Sequence, residues 1–255
     1  MRKNPLREMR SSGQPIINAW LSIGSSYAAE VVAHQGFDAV TVDCQHGMMG
    51  FETTVAMLQA ISSTRAVPLV RPSHNDAAQI MRLLDAGAYG IICPMVSNRD
   101  DALHLVRSCR YPPVGARSFG PARGLLYGGP DYLAHANEEI IVLAMIETAE
   151  GLEKVDDIVS TPGIDGVYIG PNDLALALGR APVAESDDPL LVDAIQRIRV
   201  AASSRGLIAG IFCSGARAAA KRVAEGFHLV TPGNDAGALR QVFGEAVRVI
   251  RGGAP

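Results

Sequence analysis

The sequence predicts a closed (β/α)8 TIM barrel, and three observations carry that expectation. Short apolar, β-branched runs alternate with helical text eight times along the chain. No linker or composition break divides it, so residues 1–255 read as one domain behind a short basic N-terminal tail. The rival, an open doubly wound sheet, wants a glycine fingerprint after its first strand. Ile23-Gly24-Ser25-Ser26 offers a single glycine, and no phosphate-binding loop occurs at any strand-to-helix turn. No nucleotide cofactor is expected.

Residues 15–20 open the series as a strand, and a helix over 26–35 ends at Gly36. Residues 38–43 form the second strand, 51–62 a helix, 67–71 the third strand, and 76–86 a helix closed by Gly87. The fourth strand, 88–94, leads to a helix over 100–109 that stops before the breaker Tyr111-Pro112-Pro113. Between Pro112 and Asn137 the text turns to Gly, Pro, Arg and Tyr. That stretch is too long for an ordinary connection, so it is expected to be functional or locally helical. The fifth strand, 140–146, precedes a helix over 151–160. The sixth, 166–169, precedes a short helix over 173–178 and a longer one over 189–205. Strands at 207–212 and 228–231, each followed by helical text, complete the eight.

Composition excludes several classes of function. Hydrophobic content of 48% with 19% charged residues describes a globular chain, and no apolar run is long enough for a membrane span. A net charge of -3 argues against nucleic-acid partners. Cys44, Cys93, Cys109 and Cys213 lack paired spacing, which points to neither a zinc site nor a disulfide framework. No signal-peptide core follows the basic tail, so a cytoplasmic location is expected.

Barrel chemistry is read at the carboxyl ends of the strands. There the chain places Asp43, Gln45 and His46 after the second strand and Arg71 after the third. Glu147 and Thr148 follow the fifth strand, and Gly170-Pro171-Asn172-Asp173 follows the sixth. Asp43 and His46 are open to a plainer reading, a helix cap and a surface loop residue. Glu147 and Asp173, on adjacent strands, suit a hard divalent cation with oxygen ligands; capping the following helices is their alternative. Lysine is scarce: Lys3, Lys154 and Lys221, none at a strand end. A Schiff-base mechanism needs a lysine in the barrel mouth, so carbonyl activation falls to a metal, with Arg71 as the cation that holds an enolate or carboxylate oxygen; a structural ion pair at the barrel rim is the plainer reading of Arg71.

Val42-Asp43-Cys44-Gln45-His46-Gly47, Val70-Arg71-Pro72, Ile146-Glu147-Thr148 and Ile169-Gly170-Pro171-Asn172-Asp173-Leu174 together resemble the HpcH/HpaI family of class II pyruvate aldolases, over nearly the whole chain. The resemblance implies magnesium, manganese or cobalt bound by Glu147 and Asp173, with pyruvate chelating the metal. It also implies an enolate steadied by Arg71, acid/base work at His46, and a carboxylate, Asp43, that orients this histidine. Amides of the turn Gly170, Pro171, Asn172 and Asp173 would hold the pyruvate carboxylate. Trp20 would wall the site and Phe212 would contact the aldehyde. Two positions depart from the pattern, Gln45 where many members have Glu and Met145 where Gln is frequent, which makes Gln45 a candidate determinant of the substrate.

The reaction so implied is reversible cleavage of a 4-hydroxy-2-oxo acid into pyruvate and an aldehyde. Decarboxylation or lyase chemistry on oxaloacetate-like acids is the alternative, and a non-catalytic oxo-acid-binding barrel is a third. The expected partners are therefore a small oxo acid and an aldehyde, with no nucleic acid and no membrane. The resemblance further implies a homo-hexamer, a trimer of dimers that exchange a C-terminal helix, with Asp85 and the loop from Arg117 to Arg123 as candidates for contacts between subunits.

Overall fold

The computed structural model describes residues 1–183 and 185–252. Eight strands run in parallel and in chain order: β1 (Ile16–Leu21), β2 (Ala39–Asp43), β3 (Val67–Arg71), β4 (Gly90–Cys93), β5 (Ile141–Ile146), β6 (Gly166–Ile169), β7 (Ile208–Phe212) and β8 (Leu229–Thr231). β8 closes the barrel on β1 through Ile16↔Leu229 and Ile17↔Val230. The TIM-barrel expectation holds. Every residue of β2, β3 and β5 is buried, as a parallel strand requires when one face meets the barrel interior and the other meets a helix.

The helices are α1 (Pro5–Ser12), α2 (Ser26–Ala33), α3 (Phe51–Ile61), α4 (Ala77–Asp85), α5 (Arg99–Cys109), α6 (Ala122–Gly128), α7 (Tyr132–Glu139), α8 (Ala149–Glu153), α9 (Val155–Val159), α10 (Pro171–Ala177), α11 (Pro189–Ser203), α12 (Ala216–Ala224) and α13 (Asp235–Ile250). Three depart from the sequence reading. The basic tail is helix α1, capped by Asn4 on the Leu6 amide and ended by Gly13 in the left-handed region. Its Leu6 and Met9 are buried, while Lys3 pairs with Glu139 and Arg7 with Asp165, so the charges that read as a tail tie the helix to the barrel. The single helix expected over 151–160 is two short ones that meet at Lys154.

The long segment after Pro112 folds into α6 and α7. Arg117 anchors it from full burial, donating to Asp85 at 2.7 Å and to the Tyr132 hydroxyl at 3.0 Å while lying 4.5 Å from the centre of the Tyr111 ring. Arg123 donates to the Ala86 carbonyl. Asp85, Arg117 and Arg123 thus all find partners within their own chain.

One polar layer crosses the barrel interior beneath its mouth. The Asn18 amide bridges the hydroxyls of Thr41 and Thr231, and the Tyr168 hydroxyl donates to Thr231 at 2.7 Å. Each group is partnered, as burial demands. By contrast α13, the terminal helix, buries none of its side chains and leaves Leu239, Val242, Phe243, Val247, Val249 and Ile250 exposed. Among the described residues no helix is long and apolar enough to cross a membrane.

Candidate active site

The mouth of the barrel holds a cavity of about 320 Å³ lined by strand-end residues, among them Trp20, Asp43, His46, Arg71, Asp173 and Phe212. Strand register starts its construction. β2 and β3 pair with Asp43 opposite Arg71, at the last residue of each strand. The guanidinium then grips the carboxylate with Nε to Oδ1 at 2.8 Å and Nη2 to Oδ2 at 2.6 Å. Such a fork both strengthens the pair and fixes its plane. Trp20 Nε1 donates to Asp43 Oδ2 at 3.1 Å, and the Arg71 guanidinium lies 4.9 Å from the centre of the Trp20 ring. Burial opposes the charge on Asp43, but the hydrogen bonds and charge of Arg71, with help from Trp20 and the His46 amide, hold its carboxyl below the usual carboxylate range.

Asp43 reaches His46 through the backbone. Its Oδ1 accepts the amides of Gln45 at 3.0 Å and His46 at 3.2 Å, which curls the loop after β2 and brings the imidazole to the cavity. Both carboxylate oxygens are committed to these groups, Arg71 and Trp20, so the role observed for Asp43 is to set the loop and the arginine. Gln45 does not line the cavity, and its buried amide oxygen lacks a hydrogen-bond partner. A role in contacting substrate therefore has no geometric support at Gln45.

Glu147 directly follows β5, is 3% exposed and does not itself line the cavity, lying behind Gly170, which does. The helix after β5 is capped by Thr148, and Glu147 instead accepts the Met95 amide, from the loop after β4, at 2.8 Å. Met95 adopts φ 57 to deliver that bond, a left-handed conformation unusual for a side chain of its kind. A Cβ on Gly170 would sit 2.5 Å from Glu147 Oε2, so glycine makes room for the carboxylate there. Burial, with the charge of Asp173, pushes Glu147 up to about 6 against the pull of the Met95 amide and Arg71. Asp173 lies in the first turn of α10, exposed, and α10 has no side-chain cap. Capping thus accounts for neither carboxylate.

An aromatic floor completes the cavity. Trp20 stacks on Tyr168 with centroids 5.4 Å apart and meets Phe212 edge-on at 5.8 Å. A Cβ on Gly210 would lie 2.8 Å from the Tyr168 ring, so the glycine of β7 admits the tyrosine of β6. Trp20 is accordingly both core and wall. Sequence reasoning missed Tyr168, Ser22 and Asn234, all of which line the cavity, as does Met145, which it noted only as a departure from the family pattern. Strand alternation was the available signal: Met145 shares a face with Glu147, Tyr168 with Gly170, and Ser22 lies two residues beyond Trp20.

The chain matches the family model described as HpcH/HpaI aldolase/citrate lyase over residues 17–241. A hydroxypyruvate/pyruvate aldolase of Rhizorhabdus wittichii is 44% identical over 247 residues, 95% of this chain and 98% of the relative. A 4-hydroxy-2-oxo-heptane-1,7-dioate aldolase of Salmonella dublin is 40% identical over 211 residues, covering 81% of this chain and 80% of the relative. Among solved structures, an HpcH/HpaI aldolase/citrate lyase family protein from Burkholderia cenocepacia superposes with a TM-score of 0.91 at 31% identity, covering 98% of this chain and all of that one.

Proposed function

The chain belongs to the HpcH/HpaI aldolase/citrate lyase family, a carbon–carbon lyase of the aldolase kind, and we propose that it cleaves a 4-hydroxy-2-oxo acid reversibly to pyruvate and an aldehyde with help from a divalent metal. The observation that carries the reading is one cavity lined by a locked arginine and by Asp173, with the buried carboxylate of Glu147 set directly behind the lining residue Gly170. Glu147 and Asp173 fit such an ion in kind, as hard oxygen donors, and in electrostatics, since a dication would relieve the cost of the charge buried at Glu147. Among the described residues no group of three or more His, Cys, Asp or Glu is placed to hold a metal. The pair would leave the remaining coordination positions to substrate and water. When bound, such a cation supplies Lewis-acid polarisation of the substrate 2-oxo group.

The chain's own residues do the rest. Amides of Asn172 and Asp173, at the start of α10, receive the substrate carboxylate. His46 takes the proton of the 4-hydroxyl, directly or through a water. As that proton leaves, the C3–C4 bond breaks, the aldehyde departs towards Phe212, and the electron pair passes into the 2-oxo group as the pyruvate enolate. Arg71 donates its remaining N–H groups to the enolate oxygen, while Asp43 and Trp20 hold it in place. Protonation at C3 then yields pyruvate. Among the described residues no lysine lines the cavity, and Lys3 and Lys154 are engaged with Glu139 and Glu150. Treatment with a chelator is expected to abolish pyruvate release from 4-hydroxy-2-oxo acids, and Mg²⁺, Mn²⁺ or Co²⁺ to restore it. Borohydride with pyruvate should leave the protein mass unchanged; a covalent adduct would overturn the reading.

We also propose that the protein works in the cytoplasm as a hexamer, a trimer of dimers, in which α13 of each subunit packs on a neighbour. The exposed apolar row of this 16-residue helix supports that reading. Residues 1–255 then form one unit, the barrel with this arm. Phe243→Asp together with Val247→Asp is expected to leave the far-ultraviolet dichroism of the barrel unchanged and to lower the mass seen by light scattering to that of smaller species. A mass equal to the parent's would count against α13 as the contact.

A further inference from the structure

We propose that Ser22 and Asn234 form an acceptor subsite that recognises a hydroxyl group on the aldehyde, so that uncharged hydroxyaldehydes are the preferred acceptor class. The assignment rests on the aldolase reading and concerns the far end of the same cavity. Strands follow chain order round the ring, so β5 and β6, which lead to Glu147 and Asp173, stand across the mouth from β1 and β8. Ser22 follows β1 and Asn234 precedes α13 after β8; both line the cavity together with Phe212 and His46. The aldehyde released from C4 leaves on this side, away from the carboxylate pair.

The fold has already assigned the hydrogen-bonding sense of both side chains. Asn234 caps α13, its Oδ1 accepting the Gly237 amide at 2.8 Å, so its Nδ2 is left with donors alone. Ser22 Oγ donates to Asp235 Oδ1 at 2.9 Å, and the same carboxylate accepts the Ser22 amide at 2.8 Å and the Ile23 amide at 3.1 Å. The serine proton is thereby committed and its lone pairs are left to accept. A donor beside an acceptor is the complement of an alcohol, which offers one of each. A carboxylate has only acceptors, and would meet the Ser22 lone pairs with the Asp235 charge behind them. Among the described residues the only cationic or potentially cationic side chains lining the cavity are Arg71, already paired with Asp43, and His46. An acidic semialdehyde, the fragment that a heptanedioate would release, therefore finds no counter-charge at this end.

The test measures kcat/KM for addition of pyruvate to glycolaldehyde, propanal and succinic semialdehyde by the Mg²⁺-loaded enzyme. Glycolaldehyde is expected to rank first. Asn234→Asp keeps an oxygen to cap α13 and removes the donor, and Ser22→Ala removes the acceptor. Each is expected to lower the glycolaldehyde-to-propanal ratio about tenfold. Should one variant fail to fold, the other decides. Unchanged ratios, or a parent enzyme that prefers succinic semialdehyde, overturn the assignment and leave the aldolase standing. Failure to join pyruvate to any of the three aldehydes overturns the aldolase reading and the assignment with it.

Discussion

Arg71→Lys is expected to lower kcat/KM for pyruvate-forming cleavage by about a thousandfold while the protein stays folded, an effect of the size seen when a transition-state donor is lost. A lysine keeps a positive charge near Asp43, which is 2% exposed and needs one. It cannot grip both carboxylate oxygens and at the same time present planar donors to the enolate, nor can it offer Trp20 the delocalised cation that the guanidinium places 4.9 Å from the ring centre. Arg71→Ala should behave differently. With its partner gone, Asp43 becomes an unpaired buried carboxylate, and the loop that carries His46 loses its anchor. A destabilisation of about 3–5 kcal/mol is expected from such a break, read as a fall in the urea midpoint. If Arg71→Lys kept parental kcat/KM, Arg71 would be a structural partner of Asp43 and the enolate would need another donor.

How this site became legible follows from how barrels are built. Asp43 and Arg71 each end an apolar strand and Glu147 directly follows one, so local contrast alone marks them, and the closed order of the strands makes their positions on the rim predictable. Their partnerships are another matter. Asp43 and Arg71 are 28 residues apart and meet only because β2 and β3 pair in a register that no local pattern encodes. The sequence reading therefore tied Asp43 to the histidine beside it, where the structure ties it to an arginine one strand away. Tyr168 stayed hidden for the opposite reason: it is an aromatic residue inside an apolar strand, and only alternation counted back from Gly170 separates mouth from core. Gln45 drew attention as a polar residue between two functional ones, yet a tight loop turns neighbours in different directions, and Gln45 does not line the cavity. Helix α1 was obscured because four basic residues masked the spacing of Leu6 and Met9.

The carboxylate pair supplies the sharpest contrast between function and stability. Glu147→Gln is expected to abolish metal-dependent cleavage and to stabilise the metal-free protein. In the fold Glu147 titrates at about 6, above its ordinary value of 4.5. Below the lower value the carboxyl is protonated whether the chain is folded or not, and it contributes nothing to the difference. As pH rises the unfolded chain ionises first, so the fold loses stability until pH passes the folded value, and the loss is constant thereafter. At about 1.4 kcal/mol per pH unit this amounts to about 2 kcal/mol. Glutamine accepts the Met95 amide as the carboxylate does and carries no charge, so in chelator the variant should gain that amount at about pH 8 and almost none at about pH 4. Saturating Mn²⁺ reverses the order, because only the parent gains the stabilisation that follows from binding an ion to the folded state. Urea midpoints with chelator and with Mn²⁺, at both pH values, check each step. A variant no more stable than its parent at the higher pH would mean that the fold carries the Glu147 charge without cost, and the case for a cation at this pair would lose its electrostatic support.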